Sequence, residues 1–282
     1  RQWSRGLGDV YKRQVLNMKS DEDIKNMKSI SQEAFEMVKN YKGSHSGEHG
    51  DGIVRSEFHE MMFGKKIINA FEEIKDTFDN KNLLNPGKIV RPYKSNDRSL
   101  MRYKSGYQAN NINTHYDWSN WGQFSDAVEM CNNNGACRKL DSGVMCPSYR
   151  VTNEEKDLVR GRANTLRLAL SNQLPEGSFA SKEMYETMEL CVSCKACQRE
   201  CPMSVDMAKM KSEFLSHYYE KFSMRIKDRI ISDMPRLIWF LKIVAPIFNK
   251  VKNLPIMSTI INKFGFTTER KMPEVQSQDA LL

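Results

Sequence analysis

The sequence predicts two unlike parts, an α+β fragment over residues 15–92 and a mainly α-helical segment over residues 126–222. Three features point to this. A short apolar run leads into an amphipathic helix and a glycine-dense loop near the start, helical periodicity dominates the second half, and all seven cysteines lie between residues 131 and 201.

Residues 1–14 (RQWSRGLGDVYKRQ) fit neither a targeting peptide nor a helix or strand period, and read as non-native or disordered. Val15 to Met18 then form an apolar run suited to a strand. Ser20 follows as a helix N-cap, with Asp21, Glu22 and Asp23 in the first turn, where the helix dipole favours anions. Ile24, Met27, Ile30, Phe35 and Val38 keep helical spacing until Gly43 ends the segment. Next comes Gly43-Ser-His-Ser-Gly-Glu48-His49-Gly50-Asp51-Gly52. Glycines let backbone approach a flat ligand closely; Glu is a hard metal ligand, and His titrates near neutrality. The spacing does not match a phosphate-binding GxGxxG or Walker loop. A helix from Met61 to Phe78 and a turn at Leu84-Asn85-Pro86-Gly87 close this part. Residues 93–125 carry Pro, Asn, Ser and aromatics without a period and read as a linker, with His115, Tyr116 and Trp118 as loop anchors.

Cys191-Val-Ser-Cys194-Lys-Ala-Cys197-Gln-Arg-Glu-Cys201-Pro202 is a ferredoxin-type iron–sulfur run. Three thiolates two residues apart close on one cubane, and the cysteine before proline serves a second cluster. The partner run is Cys131-Asn-Asn-Asn134-Gly-Ala-Cys137 with Cys146-Pro147. Exchange of the Cys-Pro cysteines gives one complete site, Cys146, Cys191, Cys194 and Cys197, expected to hold a 4Fe–4S cluster. The other set, Cys131, Cys137 and Cys201, has Asn134 where a middle thiolate would stand, so its cluster is three-iron or a four-iron cube with another ligand on its last iron. Paired CxxC motifs also suit zinc.

Thr152 with Glu155 reads as a capping box opening a helix to about Ser171, with Leu158, Leu166 and Leu170 on its apolar face and Arg160, Arg162 and Arg167 solvated. A short helix, Glu183 to Leu190, delivers Cys191, and Ser204 opens another through Phe222. Residues 223–282 read as an amphipathic helical tail, divided by Pro246 and Pro255, and a polar linker.

Composition narrows the function classes. A 40% apolar content with a mean hydropathy of −0.61 supports modest cores. The net charge of +8 is spread along the chain with no nucleic-acid-binding signature, so no nucleic-acid partner is expected. Cysteines at metal-ligand spacing argue against disulfides and for a reducing, cytoplasmic setting. No secretory signal or apolar run of about 18 residues is present, but the basic tail suits peripheral contact with the inner face of a membrane.

The order Ser46-Gly-Glu-His-Gly-Asp-Gly52, Arg55-Ser56, Ala70-Phe-Glu-Glu-Ile-Lys75 and Leu84-Asn-Pro-Gly-Lys-Ile-Val90 resembles the C-terminal part of an FAD-linked oxidase of the vanillyl-alcohol-oxidase superfamily. Thr114-His-Tyr-Asp-Trp118, Ala127-Val-Glu-Met-Cys131, Gly135-Ala-Cys-Arg-Lys139 and Met145-Cys-Pro-Ser-Tyr149, with the second cysteine run, resemble fused flavin and iron–sulfur 2-hydroxyacid dehydrogenases of the D-2-hydroxyglutarate and D-lactate type. The resemblance implies a fragment that ends an FAD-linked oxidase domain and continues into an α-helical ferredoxin domain, like that of succinate dehydrogenase iron–sulfur subunits. It implies Glu48 as ligand to a divalent metal that grips the substrate, His49 as catalytic base or orienting group, and Gly50, Asn85 and Gly87 beside the flavin. The partners it implies are an FAD-binding domain upstream, a cysteine-rich domain downstream, a 2-hydroxy acid, and a quinone or other acceptor. On this reading the piece alone neither holds FAD tightly nor turns over substrate. Two rivals are an electron-transfer subunit of another dehydrogenase, of the anaerobic glycerol-3-phosphate or heterodisulfide-reductase type, and a zinc-binding interaction module.

Overall fold

A computed structural model describes residues 16–47, 50–267, 269–270 and 273–276. The chain divides into two compact units, Arg1–Gln108 and Ala109–Leu282. The expected linker therefore falls across the division, 93–108 going with the first unit and 109–125 with the second.

In the first unit, α1 (Asp21–Asn40) starts as its residue types dictate. Ser20 Oγ accepts from the Asp23 N–H at 3.4 Å, and three acids occupy the first turn. The preceding residues differ from expectation. Leu16 to Lys19 make a turn closed by Ser20 N–H donating to Asn17 O at 2.8 Å, and no strand occurs among the described residues; Val15 and residues 1–14 lie outside them. A run this short needs a neighbouring strand to satisfy its backbone groups, and the described residues supply none. The α+β expectation is thereby replaced, within those residues, by an all-helical architecture.

Gly64 splits the expected Met61–Phe78 helix into α2 (His59–Phe63) and α3 (Lys65–Phe78), because its φ of +82° lies outside the helical region. No residue of α3 is buried, although Ile67, Ile74 and Phe78 align on one side of it. Below α3, Asp79 is held by Lys75 and by the Leu83 and Leu84 amides at 2.9 Å each. The Lys75 hydrogen bond and these amides lower its pKa to about 2. At Gly87, also at positive φ, a Cβ would lie 2.1 Å from the Tyr93 ring, so only glycine fits beneath that ring.

The second unit is helices wound around the cysteine loops. Its elements are α4 (Phe124–Glu129), α5 (Pro147–Thr152), α6 (Val159–Leu170), α7 (Lys182–Glu189), α8 (Ala196–Glu200), α9 (Met207–Lys221), α10 (Ile226–Val251) and α11 (Pro255–Lys263). Val128, Leu158, Leu166, Met188 and Phe214 are fully buried in one core. Each contributes roughly 1.5–3 kcal/mol of burial free energy. Thr152 closes α5 instead of capping α6. Asn153 follows in the left-handed region, a 3₁₀ turn spans Glu155–Asp157, and α6 starts after Leu158. At Gly161 a Cβ would sit 2.0 Å from the Glu155 carbonyl oxygen, which lets that turn press against α6. Asp206, not Ser204, caps α9, accepting from Lys209 N–H at 3.0 Å. The tail helix α10 runs through Pro235 and also through Pro246, one of the two prolines expected to divide the tail, while the other, Pro255, opens α11; Gly265 follows α11 at φ +86°.

Candidate metal centre

The loop after α7 brings Cys191, Cys194 and Cys197 to one cavity, and Cys146 reaches it from the N-cap of α5. The cavity is about 20 Å³ and is lined by Met145, Val159 and Met207 among others. Ser193 and Lys195 adopt positive φ, which bends the Cys-x-x-Cys backbone between its cysteines. Cys197 is buried and Cys194 exposed. Burial pushes the Cys197 thiol from the ordinary 9.0 up to about 11, so near neutral pH it keeps its proton unless a cation lies beside it.

Two cations stand beside these cysteines, Arg162 lining the cavity and the half-buried Lys211 at the Cys191 backbone. Arg162, expected in solvent, is fully buried. It donates from Nε to Thr187 O at 2.9 Å, and from Nη1 to Ser148 Oγ at 3.1 Å and Cys146 Sγ at 3.7 Å; Nη2 faces the buried Asp157 at 3.6 Å. Arg167 is buried too; Arg160 instead makes a two-pronged bond to Glu155, at 2.6 and 2.9 Å. Lys211 Nζ donates to Cys191 O at 2.6 Å and Glu189 O at 3.1 Å, and burial lowers its pKa. Sequence reasoning missed Arg162 and Lys211. The signal for Arg162 was present, since Leu158, Arg162, Leu166 and Leu170 recur every four residues on one helix face.

Backbone between the two cysteine runs is fixed by Glu200, which accepts from the Val144 and Met145 amides at 2.8 and 3.1 Å. These bonds lower its pKa and hold the segment entering Cys146. Cys131 and Cys137 are buried in the core, with Cys201 packed against it. Asn134 is not poised as a ligand. Its Oδ1 accepts from Ala136 N–H at 2.8 Å and its Nδ2 donates to Asn132 Oδ1 at 2.6 Å, so both polar ends serve the loop itself.

The aromatic anchors converge on Glu213. This buried carboxylate accepts from His115 N at 2.8 Å, Tyr116 N at 3.1 Å, Trp118 Nε1 at 2.9 Å and His217 Nε2 at 3.2 Å. Burial raises its pKa, and the indole, the two amides and His217 outweigh that, leaving it below the ordinary value.

Of the expected flavin-side residues, Glu48 and His49 lie outside the described residues. Gly50 and Asn85 are exposed and Gly87 is buried under Tyr93.

Residues 13–89 match the family model "FAD linked oxidases, C-terminal domain", and residues 127–205, which include every cysteine, match "4Fe-4S dicluster domain". The chain is 28% identical to the D-2-hydroxyglutarate dehydrogenase of Haemophilus influenzae, covering 98% of this chain and 30% of that protein. It is 29% identical to the Pseudomonas putida protein of the same name, over 90% of this chain and 28% of the relative. Glycolate oxidase subunit GlcD of Bacillus subtilis is 30% identical over 30% of this chain and 18% of its own. The chain thus spans under a third of the length of these curated relatives. No solved structure matches it. No helix among the described residues is long and apolar enough to cross a membrane. The chain therefore joins a stretch of an FAD-linked oxidase C-terminal domain to a 4Fe–4S dicluster domain.

Proposed function

We propose that this chain belongs to a flavin- and iron–sulfur-dependent oxidoreductase of 2-hydroxy acids, of the D-2-hydroxyglutarate, D-lactate or glycolate class, and that residues 126–222 carry electrons away from FAD. The observation that carries the reading is the convergence of Cys146 with Cys191, Cys194 and Cys197 on one cavity inside the dicluster match. Four thiol donors lining one cavity fit a 4Fe–4S cluster by donor chemistry. When bound, such a cluster takes and gives one electron at a time.

The chain's own residues do the rest. Cys146, Cys191, Cys194 and Cys197 hold the first cluster. Cys131, Cys137 and Cys201 hold the second, which is three-iron or has its last iron bound from outside, since the Asn134 amide is committed to its loop. Arg162 and Lys211 offset the thiolate charge, while Met145, Val159 and Met207 keep water from the cavity.

Upstream, Glu48 holds a divalent metal that grips the substrate, His49 orients or deprotonates its hydroxyl, and Gly50, Asn85 and Gly87 border the flavin. The uncovered apolar face of α3 packs on the remainder of the flavoprotein. The exposed Trp239, Phe240 and Ile247 of α10 face a further, cysteine-rich domain, and a quinone or similar acceptor takes the electrons in the cytoplasm or at its membrane surface.

The test joins this chain to the flavin-binding part of a D-2-hydroxyglutarate dehydrogenase and compares Cys194→Ser with the parent. The reading expects substrate still to bleach the flavin in the variant while reduction of an external one-electron acceptor falls at least about tenfold. Equal acceptor reduction in both proteins overturns the relay.

A further inference from the structure

His45, Asp51 and His59 stand together in the first unit, which contains no cysteine. Asp51 Oδ1 is 3.6 Å from His45 Nε2, and its Oδ2 is 3.3 Å from His59 Nε2. Both imidazoles are more than nine-tenths buried, and both Nε2 atoms, with Asp51 Oδ1, are buried without a hydrogen-bond partner. The three side chains can offer ligand atoms all within 4.8 Å of one another. Leaving several buried polar atoms unmatched is costly unless something occupies the space between them.

The tautomer adds a second argument. His59 Nδ1 lies 3.4 Å from Ile89 O, a backbone acceptor, so the proton of a neutral ring sits on Nδ1. Its Nε2 then presents a lone pair to a carboxylate oxygen, and two acceptors face each other. Either a second proton on the ring or a cation between the two acceptors makes this arrangement favourable, and a cation would also satisfy His45 Nε2 and Asp51 Oδ1. A ring whose far N–H is tied to a backbone carbonyl is also the usual support of a metal-bound histidine. The walls are apolar. Phe35 and Phe63 pack on His45 at 5.4 and 5.7 Å between ring centroids, and Phe63 also packs on His59 at 5.5 Å.

We infer that His45, Asp51 and His59 form a binding site for a divalent transition metal of the zinc type, distinct from the metal expected at Glu48. Two imidazoles and one carboxylate are a zinc donor set. Zinc bonds of about 2.0–2.2 Å in a tetrahedron place neighbouring ligand atoms about 3.3–3.6 Å apart; one ligand atom from each of the three side chains lies within 4.8 Å of the others, and a nitrogen faces each Asp51 oxygen at 3.6 and 3.3 Å. The bound ion ties the loop after α1 to the start of α2, and leaves a fourth position for water or another donor. The inference does not depend on the electron-relay reading, since the site holds no cysteine and lies in the other unit.

The test is the zinc stoichiometry and affinity of the full 282-residue chain by equilibrium dialysis, beside Asp51→Asn, His59→Gln and Glu48→Gln. Zinc on the cysteines is common to all four proteins and cancels. The parent and Glu48→Gln are expected to bind one more zinc per chain than Asp51→Asn or His59→Gln, or to bind it at least about tenfold more tightly. Equal binding in all four overturns the site, and so does a loss in Glu48→Gln alone. A second measurement needs no variant. In the parent, zinc is expected to shift the ¹⁵N resonances of two imidazole Nε2 atoms, and their failure to move refutes the assignment.

Discussion

Arg162→Met tests whether the buried guanidinium serves the cluster cavity or only the core. The change removes a charge that lies 3.7 Å from Cys146 Sγ and 3.6 Å from Asp157, and it leaves Thr187 O and Ser148 Oγ short of a donor. Breaking a buried ion pair from one side costs about 3–5 kcal/mol, because the remaining carboxylate stays in the low-dielectric interior. The electrostatic consequence is separate. A unit charge about 4–6 Å away in an effective dielectric near 20 is worth roughly 3–4 kcal/mol. A one-electron couple moves roughly 59 mV per 1.4 kcal/mol, so spreading of the added electron over the cluster still leaves a shift on the order of 100 mV. The sign is downward. Reduction adds negative charge, which Arg162 stabilises and Asp157 opposes. Redox titration of the reconstituted chain, followed by electron paramagnetic resonance, reads the potential, and urea unfolding reads the stability. Arg162→Lys keeps the charge and is expected to recover most of the potential, but not the fork of hydrogen bonds. An unchanged potential in Arg162→Met, with stability altered by less than about 0.5 kcal/mol, refutes the reasoning.

Glu213→Ala leaves the His115 and Tyr116 amides and the Trp118 indole without their acceptor, and thermal unfolding is expected to show a loss of about 3–5 kcal/mol. Its carboxyl titrates below the ordinary 4.5, so its contribution is complete above that value and disappears as pH falls through the folded one; acid unfolding of Glu213→Gln is expected to lack that component. In the cluster-free, reduced chain, Cys197 titrates near 11 against an ordinary 9.0, so the folded state favours its thiol. That stability is present below pH 9 and is lost as pH rises toward about 11, and alkylation followed by mass spectrometry is expected to label exposed Cys194 first and Cys197 last. Gly161→Ala drives a Cβ to 2.0 Å from the Glu155 carbonyl oxygen and is expected to cost about 1–3 kcal/mol in urea unfolding.

Legibility in the sequence followed the range over which each signal acts. The Ser20 cap, the acids after it and the end of α1 near Gly43 are local chemistry, and the structure reproduces them. The cysteine spacing is local within each run, and Cys146 lines the same cavity as Cys191, Cys194 and Cys197, where the ferredoxin pattern of a Cys-Pro cysteine expects it. Elements that depend on distant partners were harder. The apolar run before Ser20 has strand composition, but a strand exists only with a neighbour. Arg162 was misplaced because arginine is usually solvated, whereas its i+4 register with Leu158 and Leu166 fixed its direction. Thr152 and Glu155 satisfy the capping-box pattern, but Asn153 takes a left-handed conformation first and ends the preceding helix. His59 attracted no attention, because it meets His45 and Asp51 only through the turn between α1 and α2.

The central claim, two clusters on two cysteine sets, is tested most directly by iron, acid-labile sulfide and zinc analysis of the chain purified and reconstituted without oxygen. The account predicts about seven or eight irons per chain with matching sulfide, and two cluster signals by electron paramagnetic resonance, one of them a three-iron signal in the oxidised state if Cys131, Cys137 and Cys201 hold only three irons. It also predicts that Cys146→Ser removes about four irons and Cys137→Ser the remainder. Zinc that stays on the cysteines through reconstitution, with no sulfide and no cluster absorption, contradicts the account and leaves a zinc-binding module in its place.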